Sequence, residues 1–162
     1  MAGHLSELPV QVISAMRLMR AANQGLSSYL EQLLRPLGFT ESSFHTLMLL
    51  FSSDKGTASP GMLCDLVGQT RANMTRIIDG LITQAYVSRT TDGGDGRRRI
   101  IRITAQGKRL VQASLPLLGG PMTLAVAELK PSEIKQLDKL LRRLVTSLES
   151  AERQLRANYF TG

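Results

Sequence analysis

Two short apolar helices separated by a single tight turn constrain the fold of this chain more than any other feature. Ser59 is a good N-cap, and Pro60 follows at the first helical position, where its missing N–H group is harmless. Gly68 is expected to end that helix in the left-handed conformation, and Thr70 caps the next helix. The inward-facing apolar residues are expected to be Met62, Leu63, Leu66 and Val67 in the first helix and Met74, Ile77, Ile78 and Leu81 in the second. This arrangement predicts a helix-turn-helix.

A glycine-rich segment between two predicted strands follows the helix pair directly. Residues 86–90 and 99–103 have strand character, and the loop between them is rich in glycine and ends in arginines. A basic hairpin placed directly after a helix-turn-helix is a wing. The fold class predicted is therefore mainly α (α+β), a winged helix-turn-helix with a two-stranded wing. Arg97 is expected at the tip of the wing, in the minor groove, with Arg98 and Arg99 on phosphates.

The positive charge of the chain is concentrated in the same region. Residues 69–109 hold nine basic and three acidic residues, so they carry six of the seven net positive charges. Such focusing suits a polyanion, because each neutralised phosphate releases counterions and strengthens binding. Charge alone leaves other interpretations open, since a basic face can also be exposed to solvent or bind acidic proteins or lipids.

The second helix of the motif presents side chains that can read DNA bases. Its outward positions are Ala72, Asn73, Arg76 and Asp79, with Arg71 in the first turn. Arginine can bond guanine through two hydrogen bonds, and asparagine can do the same with adenine. The alternative is a polar helix face that only meets water. The neighbouring basic wing favours double-stranded DNA as the partner.

Both DNA-facing segments resemble one known family. Residues 95–107, with Asp95, Arg97 and the run Ile103-Thr104-x-x-Gly107, resemble the wing signature D-x-R-x5-[LI]-T-x-x-G of the multiple-antibiotic-resistance regulator (MarR) family. Residues 71–81 resemble the recognition helix of its efflux-repressor branch, R-x-N-x-T-R-x-x-D-x-L. Gly80 departs from that branch, which usually has a charged residue there, and slightly loosens the helix.

The resemblance implies a homodimeric, two-lobed repressor of nearby genes, often released by small aromatic or lipophilic ligands. The residues expected to contact DNA are, in the recognition helix, Thr70, Arg71, Ala72, Asn73, Thr75 and Arg76, and in the wing Asp95, Arg97, Arg98 and Arg99.

Helical periodicity flanks the motif on both sides. Residues 10–34 form a predicted helix that ends before Pro36 and Gly38, and residues 41–52 form a second, buried helix that Thr40 caps. A helix that begins after Thr104 is expected to end near residue 115, because two prolines and two glycines follow within residues 116–121. Further helices are expected from about Met122 and after Ser132.

The last helix carries apolar residues at alternating steps of three and four, which is typical of a coiled-coil seam. We expect this helix and the first one to pack around a two-fold axis, which would place the recognition helices about one DNA turn apart over a roughly palindromic site. The alternative is a helix that packs on its own core. The expected interface residues are Val12, Met16, Ile134, Leu137, Leu141, Leu144 and Leu148. The chain would then comprise an N-terminal dimerisation helix (1–38), a winged DNA-binding domain (39–115) and C-terminal dimerisation helices (116–162).

An effector site is expected beside the first helix. Arg17 and Arg20 lie on successive turns of that helix, and Phe44 and His45 lie on the next one. The family resemblance implies aromatic acids bound between the dimer lobe and the DNA lobe, and an arginine with an aromatic wall would suit a carboxylated ring. The alternative is that both arginines are surface or interface residues.

Other classes of function have less support. Cys64 is the only cysteine, so an internal disulfide is excluded, and with His4 and His45 it forms no metal-binding motif. The sequence has no GxSxG motif, no signal peptide and no apolar stretch long enough for a membrane span. We therefore expect a cytoplasmic protein that is not an enzyme and needs no cofactor or metal. A redox-responsive repressor acting through Cys64, or a non-specific architectural nucleic-acid-binding protein, are the alternatives.

Overall fold

The structure, a computed structural model, describes residues 9–92 and 95–159, and at residues 92, 95–98 and 159 it describes the backbone only. It confirms the predicted, mainly helical winged helix-turn-helix. The chain divides into two compact units, residues 1–118 and 119–162. In chain order the elements are α1 Val10–Leu34, a 3₁₀ turn Arg35–Leu37, α2 Glu41–Ser52, β1 Thr57–Ala58, α3 Pro60–Val67, α4 Arg71–Thr83, β2 Val87–Asp92, β3 Asp95–Ile103, α5 Ala105–Leu124 and α6 Pro131–Tyr159.

The helix starts lie where the capping residues predict them. Thr40 accepts a hydrogen bond from the backbone N–H of Ser43 at 3.2 Å, and the Ser43 hydroxyl accepts one in return from the Thr40 N–H. Ser59 and Thr70 cap α3 and α4 in the same way. Gly68 adopts φ +67° at the end of α3, the left-handed conformation expected of it. The two helices of the motif are thus separated only by a tight turn.

The wing belongs to a three-stranded antiparallel sheet with the order β1-β3-β2. The register of β2 and β3 runs from Val87 opposite Ile103 to Thr91 opposite Arg99. The third strand, β1, was not predicted, because it has only two residues and they pair with the far end of β3. Pairing between Asp92 and Asp95 after a register shift makes both wing strands longer than predicted.

The hydrophobic core lies between the helices of the winged region and the inner face of the sheet. Leu47 of α2, Leu63 of α3, Ile101 of β3 and Val111 of α5 are fully buried in it. Met74 of α4 is also buried there, with only 1% of its surface exposed. The recognition helix is therefore held from behind by the core, where it packs against α2, α3 and β2.

One predicted core face is wrong in part. Leu63 and Cys64 are the buried residues of α3, whereas Met62 is 54% exposed and Leu66 is 50% exposed. The reason is geometric, because a helix of eight residues covers the core with little more than one row of side chains. Met62 and Leu66 belong to the next row, which is exposed.

The predicted break after residue 115 is also wrong. Helix α5 continues without interruption from Ala105 to Leu124, through Pro116, and no separate helix begins near Met122. Local propensity disfavours this path, since each internal proline removes one helical hydrogen bond. Val111 and Ser114 are buried, and Leu118 on the same face packs against the core, so tertiary packing holds the helix beyond the proline.

Helix α6 has 29 residues and belongs to the second compact unit. Most of its described side chains are exposed in the single chain, and Leu144 is half-buried. Within residues 9–92 and 95–159, no helix is both long and apolar enough to cross a membrane.

Candidate nucleic-acid interface

Helix α4 has one side in the core and the opposite side in solvent. Met74, Ile78 and Leu81 are buried, and Ile77 is half-buried. The residues expected to contact DNA are all exposed, namely Thr70, Arg71, Ala72, Asn73, Thr75 and Arg76. All six side chains of this sequence-predicted group are thus accessible at the start of α4.

The two threonines of that group make hydrogen bonds within their own helix. The Thr70 hydroxyl accepts from the backbone N–H of Asn73 at 3.2 Å, which is the N-cap contact. The Thr75 hydroxyl donates to the carbonyl of Arg71 at 2.9 Å. Thr70 therefore fixes the first turn of α4, where the free backbone N–H groups also favour an anion such as a phosphate.

The side chain of Asn73 is held by a residue that sequence reasoning missed. Its Nδ2 donates to Oε1 of Gln69, in the turn before α4, at 2.5 Å. Nε2 of Gln69 in turn donates to the hydroxyl of Ser42, at the start of α2, at 3.0 Å. Gln69 and Asn73 are four residues apart, a spacing that could have suggested the first contact, but nothing local points to Ser42.

A second missed contact joins α4 to the wing. Nη2 of Arg89 in β2 donates to Oδ1 of Asp79 at 2.8 Å. Both side chains are partly exposed, so this ion pair contributes less than about 1 kcal/mol to stability. The ion pair restrains the position of the wing relative to the recognition helix, because it joins the outer face of α4 to β2.

The wing residues are described to different extents. Arg99 lies opposite Thr91 in the ladder and is exposed. The backbone of Asp95, Arg97 and Arg98 belongs to β3, and their side chains lie outside the described part of the chain. Residues 93–94, between the strands, also lie outside it. The backbone thus places Arg97 two residues after the start of β3, rather than in a long loop as the sequence predicts.

Two further cations lie at the base of the sheet. Arg102 of β3 donates to the carbonyl of Lys55 at 3.4 Å, and its side chain is exposed. Lys108, in the first turns of α5, is exposed as well. The positive charge seen in the sequence therefore continues from the exposed face of α4 along the wing strand.

The candidate effector residues lie on two helices. Arg17 and Arg20 are exposed on α1, and His45 is exposed on α2. Phe44 is buried, and its ring lies 5.9 Å from that of Phe39 in an edge-to-face contact. The surface of this ring is thus already covered by protein atoms, whereas the three polar residues are accessible.

The candidate dimer residues are accessible in the single chain, except that Leu144 is half-buried. On α6 the exposed fraction ranges from 38% at Ile134 to 52% at Leu148, with Leu137 and Leu141 between these values. On α1, Val12 and Met16 are each 48% exposed. The described part of the chain leaves these apolar side chains open to a partner.

Neither metal binding nor thiol chemistry finds support among the described residues. Cys64 is a free thiol buried in the core, with 8% of its surface exposed. Buried cysteines of this kind behave as small apolar side chains. In residues 9–92 and 95–159, no group of three His, Cys, Asp or Glu residues is placed to bind a metal ion.

The chain is similar in sequence and fold to known transcriptional regulators. Residues 37–98 match a family model described as the MarR family. Transcriptional repressor MprA of Escherichia coli K12 is 26% identical over 146 residues, which cover 90% of this chain and 83% of MprA. Sco3205, a MarR family transcriptional regulator from Streptomyces coelicolor solved in complex with DNA, has a TM-score of 0.77 at 21% identity, with 87% of this chain and 93% of Sco3205 covered. Bordetella bronchiseptica BpsR, whose DNA binding is regulated by 6-hydroxynicotinic acid, has a TM-score of 0.71 at 22% identity, with 82% and 98% covered.

Proposed function

The chain belongs to the MarR family of transcriptional regulators, and from this premise we propose that it is a homodimeric, sequence-specific repressor. It binds a pseudo-palindromic operator and is released from it by a small aromatic or lipophilic compound. Members of this family are regulators rather than enzymes, so no residue is assigned a catalytic role.

The exposed polar face of α4 is the observation that carries this proposal. Arg71, Asn73 and Arg76 are all exposed in the first turns of α4, while the inner side of the helix is fixed in the core through Met74 and Ile78. A helix held in this way presents its side chains to the major groove in one orientation, which base reading requires. The basic wing beside it supplies phosphate and minor-groove contacts.

The exposed apolar side chains of α6 and α1 support the homodimer. A monomer would leave the α6 seam in water, whereas burying the exposed part of each large aliphatic side chain, which is about half of its surface, contributes roughly 1 kcal/mol. A two-fold dimer also matches the geometry of a palindromic site, because each recognition helix reads one half-site.

An aromatic acid is the class of effector that best fits the accessible side chains. The DNA binding of BpsR is regulated by 6-hydroxynicotinic acid, which is an aromatic acid. In this chain the guanidinium groups of Arg17 and Arg20 are accessible partners for a carboxylate, and His45 is a further polar group. Replacing Arg17 or Arg20 by glutamine should weaken the response to such an acid while leaving operator binding intact.

A binding assay separates this proposal from a non-specific architectural protein. The affinity of the full-length protein is measured by fluorescence anisotropy at physiological salt, for the DNA upstream of its own gene and for scrambled DNA of the same composition. A repressor should prefer its own site by about a thousandfold or more. Equal affinities for the two DNAs would refute the repressor and favour the architectural role.

Variants in the same assay distinguish residues that recognise particular bases from residues that strengthen binding to any DNA. Arg97→Ala is expected to weaken binding to every DNA through the wing, while Asn73→Ala relaxes the preference for particular bases. Sedimentation velocity at micromolar concentration tests the dimer, and a monomer there would contradict it.

A further inference from the structure

We propose that Gln69 is a positioning residue that sets the orientation of Asn73 for base reading. The proposal rests on the function proposed above and adds a specificity determinant outside the recognition helix. Gln69 lies in the turn between α3 and α4 and is half-buried. Its two amide atoms face different partners, since Oε1 accepts from Asn73 and Nε2 donates to Ser42.

The contact leaves Asn73 with the groups that an adenine needs. An asparagine amide has two N–H donors and one carbonyl acceptor. Gln69 takes up one N–H of Asn73, at 2.5 Å, so one N–H and Oδ1 are left for the DNA. Adenine in the major groove offers N7 as an acceptor and its N6 amino group as a donor, and one N–H and one oxygen match this pair.

Gln69 can hold Asn73 because it is itself held by the body of the domain. Ser42 lies in the first turn of α2, a helix whose Leu47 and Leu50 are fully buried in the core. Ser42 and Gln69 are 27 residues apart in the chain, so the hydrogen bond between them fixes the turn against a different helix. The hydrogen bonds through Gln69 and Ser42 thus fix the Asn73 side chain relative to the core, and not only relative to the exposed surface of α4.

The Asn73 backbone is fixed independently of its side chain. Its N–H donates to the hydroxyl of Thr70 in the N-cap contact. With the backbone and the amide both held, the side chain is ordered before DNA arrives, and binding does not have to order it. Immobilising a flexible side chain at an interface weakens association by roughly three- to tenfold, so this is the effect that loss of Gln69 should have.

The test compares affinities for duplexes that differ at one base pair, and so measures base discrimination. Duplexes from the upstream region are prepared with each A·T pair changed in turn to G·C, and the pair whose substitution no longer matters in Asn73→Ala is identified. The discrimination ratio is the Kd for that substituted duplex divided by the Kd for the original. It is then measured for the full-length protein and for Gln69→Leu, Gln69→Glu and Ser42→Ala.

We expect Gln69→Leu to lower this ratio by about three- to tenfold, and Ser42→Ala to lower it less. Gln69→Glu keeps an oxygen acceptor for Asn73, and its second oxygen can accept a hydrogen bond from the Ser42 hydroxyl in place of the lost amide donor, so the ratio is retained even though the added negative charge weakens binding to every duplex. In the double variant Asn73→Ala/Gln69→Leu the ratio should equal that of Asn73→Ala, because Gln69 acts only through Asn73. Gln112→Leu, an exposed change on α5, is the matched control and leaves the ratio unchanged.

A spectroscopic measurement without DNA makes the test independent of operator binding. In ¹⁵N-labelled protein the side-chain NH₂ resonances of Asn73 should shift in Gln69→Leu and keep their positions in Gln112→Leu. The inference is overturned if these resonances do not move, if Gln69→Leu leaves the discrimination ratio unchanged, or if no A·T pair depends on Asn73. Each of these results is compatible with a parent protein that prefers its operator, whereas a parent without that preference would refute the proposed function itself.

Discussion

Replacing Ala85 by glycine should stabilise the protein, because Ala85 occupies a backbone conformation that suits glycine. It follows the end of α4 with φ +58°, in the left-handed region. The N–H of Tyr86 donates to the carbonyl of Leu81 at 2.9 Å, and that of Ala85 donates to Ile82 at 2.8 Å. These two bonds define a Schellman motif, whose left-handed position is usually glycine.

The expected gain follows from two opposing effects. The left-handed conformation costs a residue with a Cβ atom roughly 1 to 2 kcal/mol. Glycine avoids that cost but loses more backbone freedom on folding, which costs about 0.5 to 1 kcal/mol relative to alanine. The net expectation is a gain of about 0.5 to 1 kcal/mol in the free energy of unfolding, or about 1 to 4 °C in Tm.

Thermal and urea unfolding followed by circular dichroism measure this gain, with the protein concentration held fixed because a dimer's stability depends on it. Ala113→Gly is the matched control, since Ala113 is exposed in the interior of α5. That change should destabilise the protein by about 1 kcal/mol. If Ala85→Gly lowered the stability as Ala113→Gly does, the strain assigned to Ala85 would be absent.

Three other substitutions probe the core, the proposed interface and an ion pair. A Cβ atom on Gly107 would lie 2.3 Å from the carbonyl oxygen of Tyr86, so Gly107→Ala should lower the free energy of unfolding by about 2 to 3 kcal/mol in urea titrations. Leu141→Glu places a charge in the proposed interface and should produce a monomer in sedimentation velocity at micromolar concentration. The pKa of Asp138 is lowered, mainly by the hydrogen bond from Arg142, so the pair stabilises α6 above the ordinary carboxyl pKa of 3.8. That contribution is lost as pH falls through the lowered pKa, and the helicity of Asp138→Asn should therefore differ from the parent's only above that range.

Neighbouring exposed residues provide the controls. Gln106→Ala lies beside Gly107 in α5, and a loss as large as that of Gly107→Ala would show that the close contact is not the cause. Lys139→Glu adds negative charge to α6 at a position outside the seam and should leave the dimer intact. A dimeric Leu141→Glu protein, or equal pH profiles for Asp138→Asn and the parent throughout, would count against the respective prediction.

The sequence was most informative where the physical signal is local. The capping residues Thr40, Ser59 and Thr70 interact with N–H groups three residues away, so a short window contains the whole contact. Long-range packing was not visible in this way. Pro116 lies inside α5 because Leu118, beyond it, packs against the core. The core surface that Leu118 contacts is formed by residues distant in the chain, so the sequence around Pro116 does not predict it.

The candidate site also has a part that local sequence predicts and a part that depends on long-range contacts. The helical period alone placed Asn73 and Arg76 on the exposed face of α4. The groups that orient this face were not predicted, because they reach it from elsewhere in the fold. Ser42 acts through Gln69 from the start of α2, and Arg89 contacts α4 from a strand of the wing.

These contacts together determine how a signal can act on the recognition helix. Helix α4 is held at its start by Gln69, near its middle by the ion pair between Asp79 and Arg89, and at its end by the Schellman motif around Ala85. Distorting the helix would require several of these contacts to break at once, as well as the core contacts behind Met74. A ligand shifts a protein only toward the state that it binds better, and a change in the distance between the two recognition helices of a dimer leaves all of these contacts intact. We therefore expect an effector to act on the spacing of the two α4 helices and to leave the structure of each one unchanged.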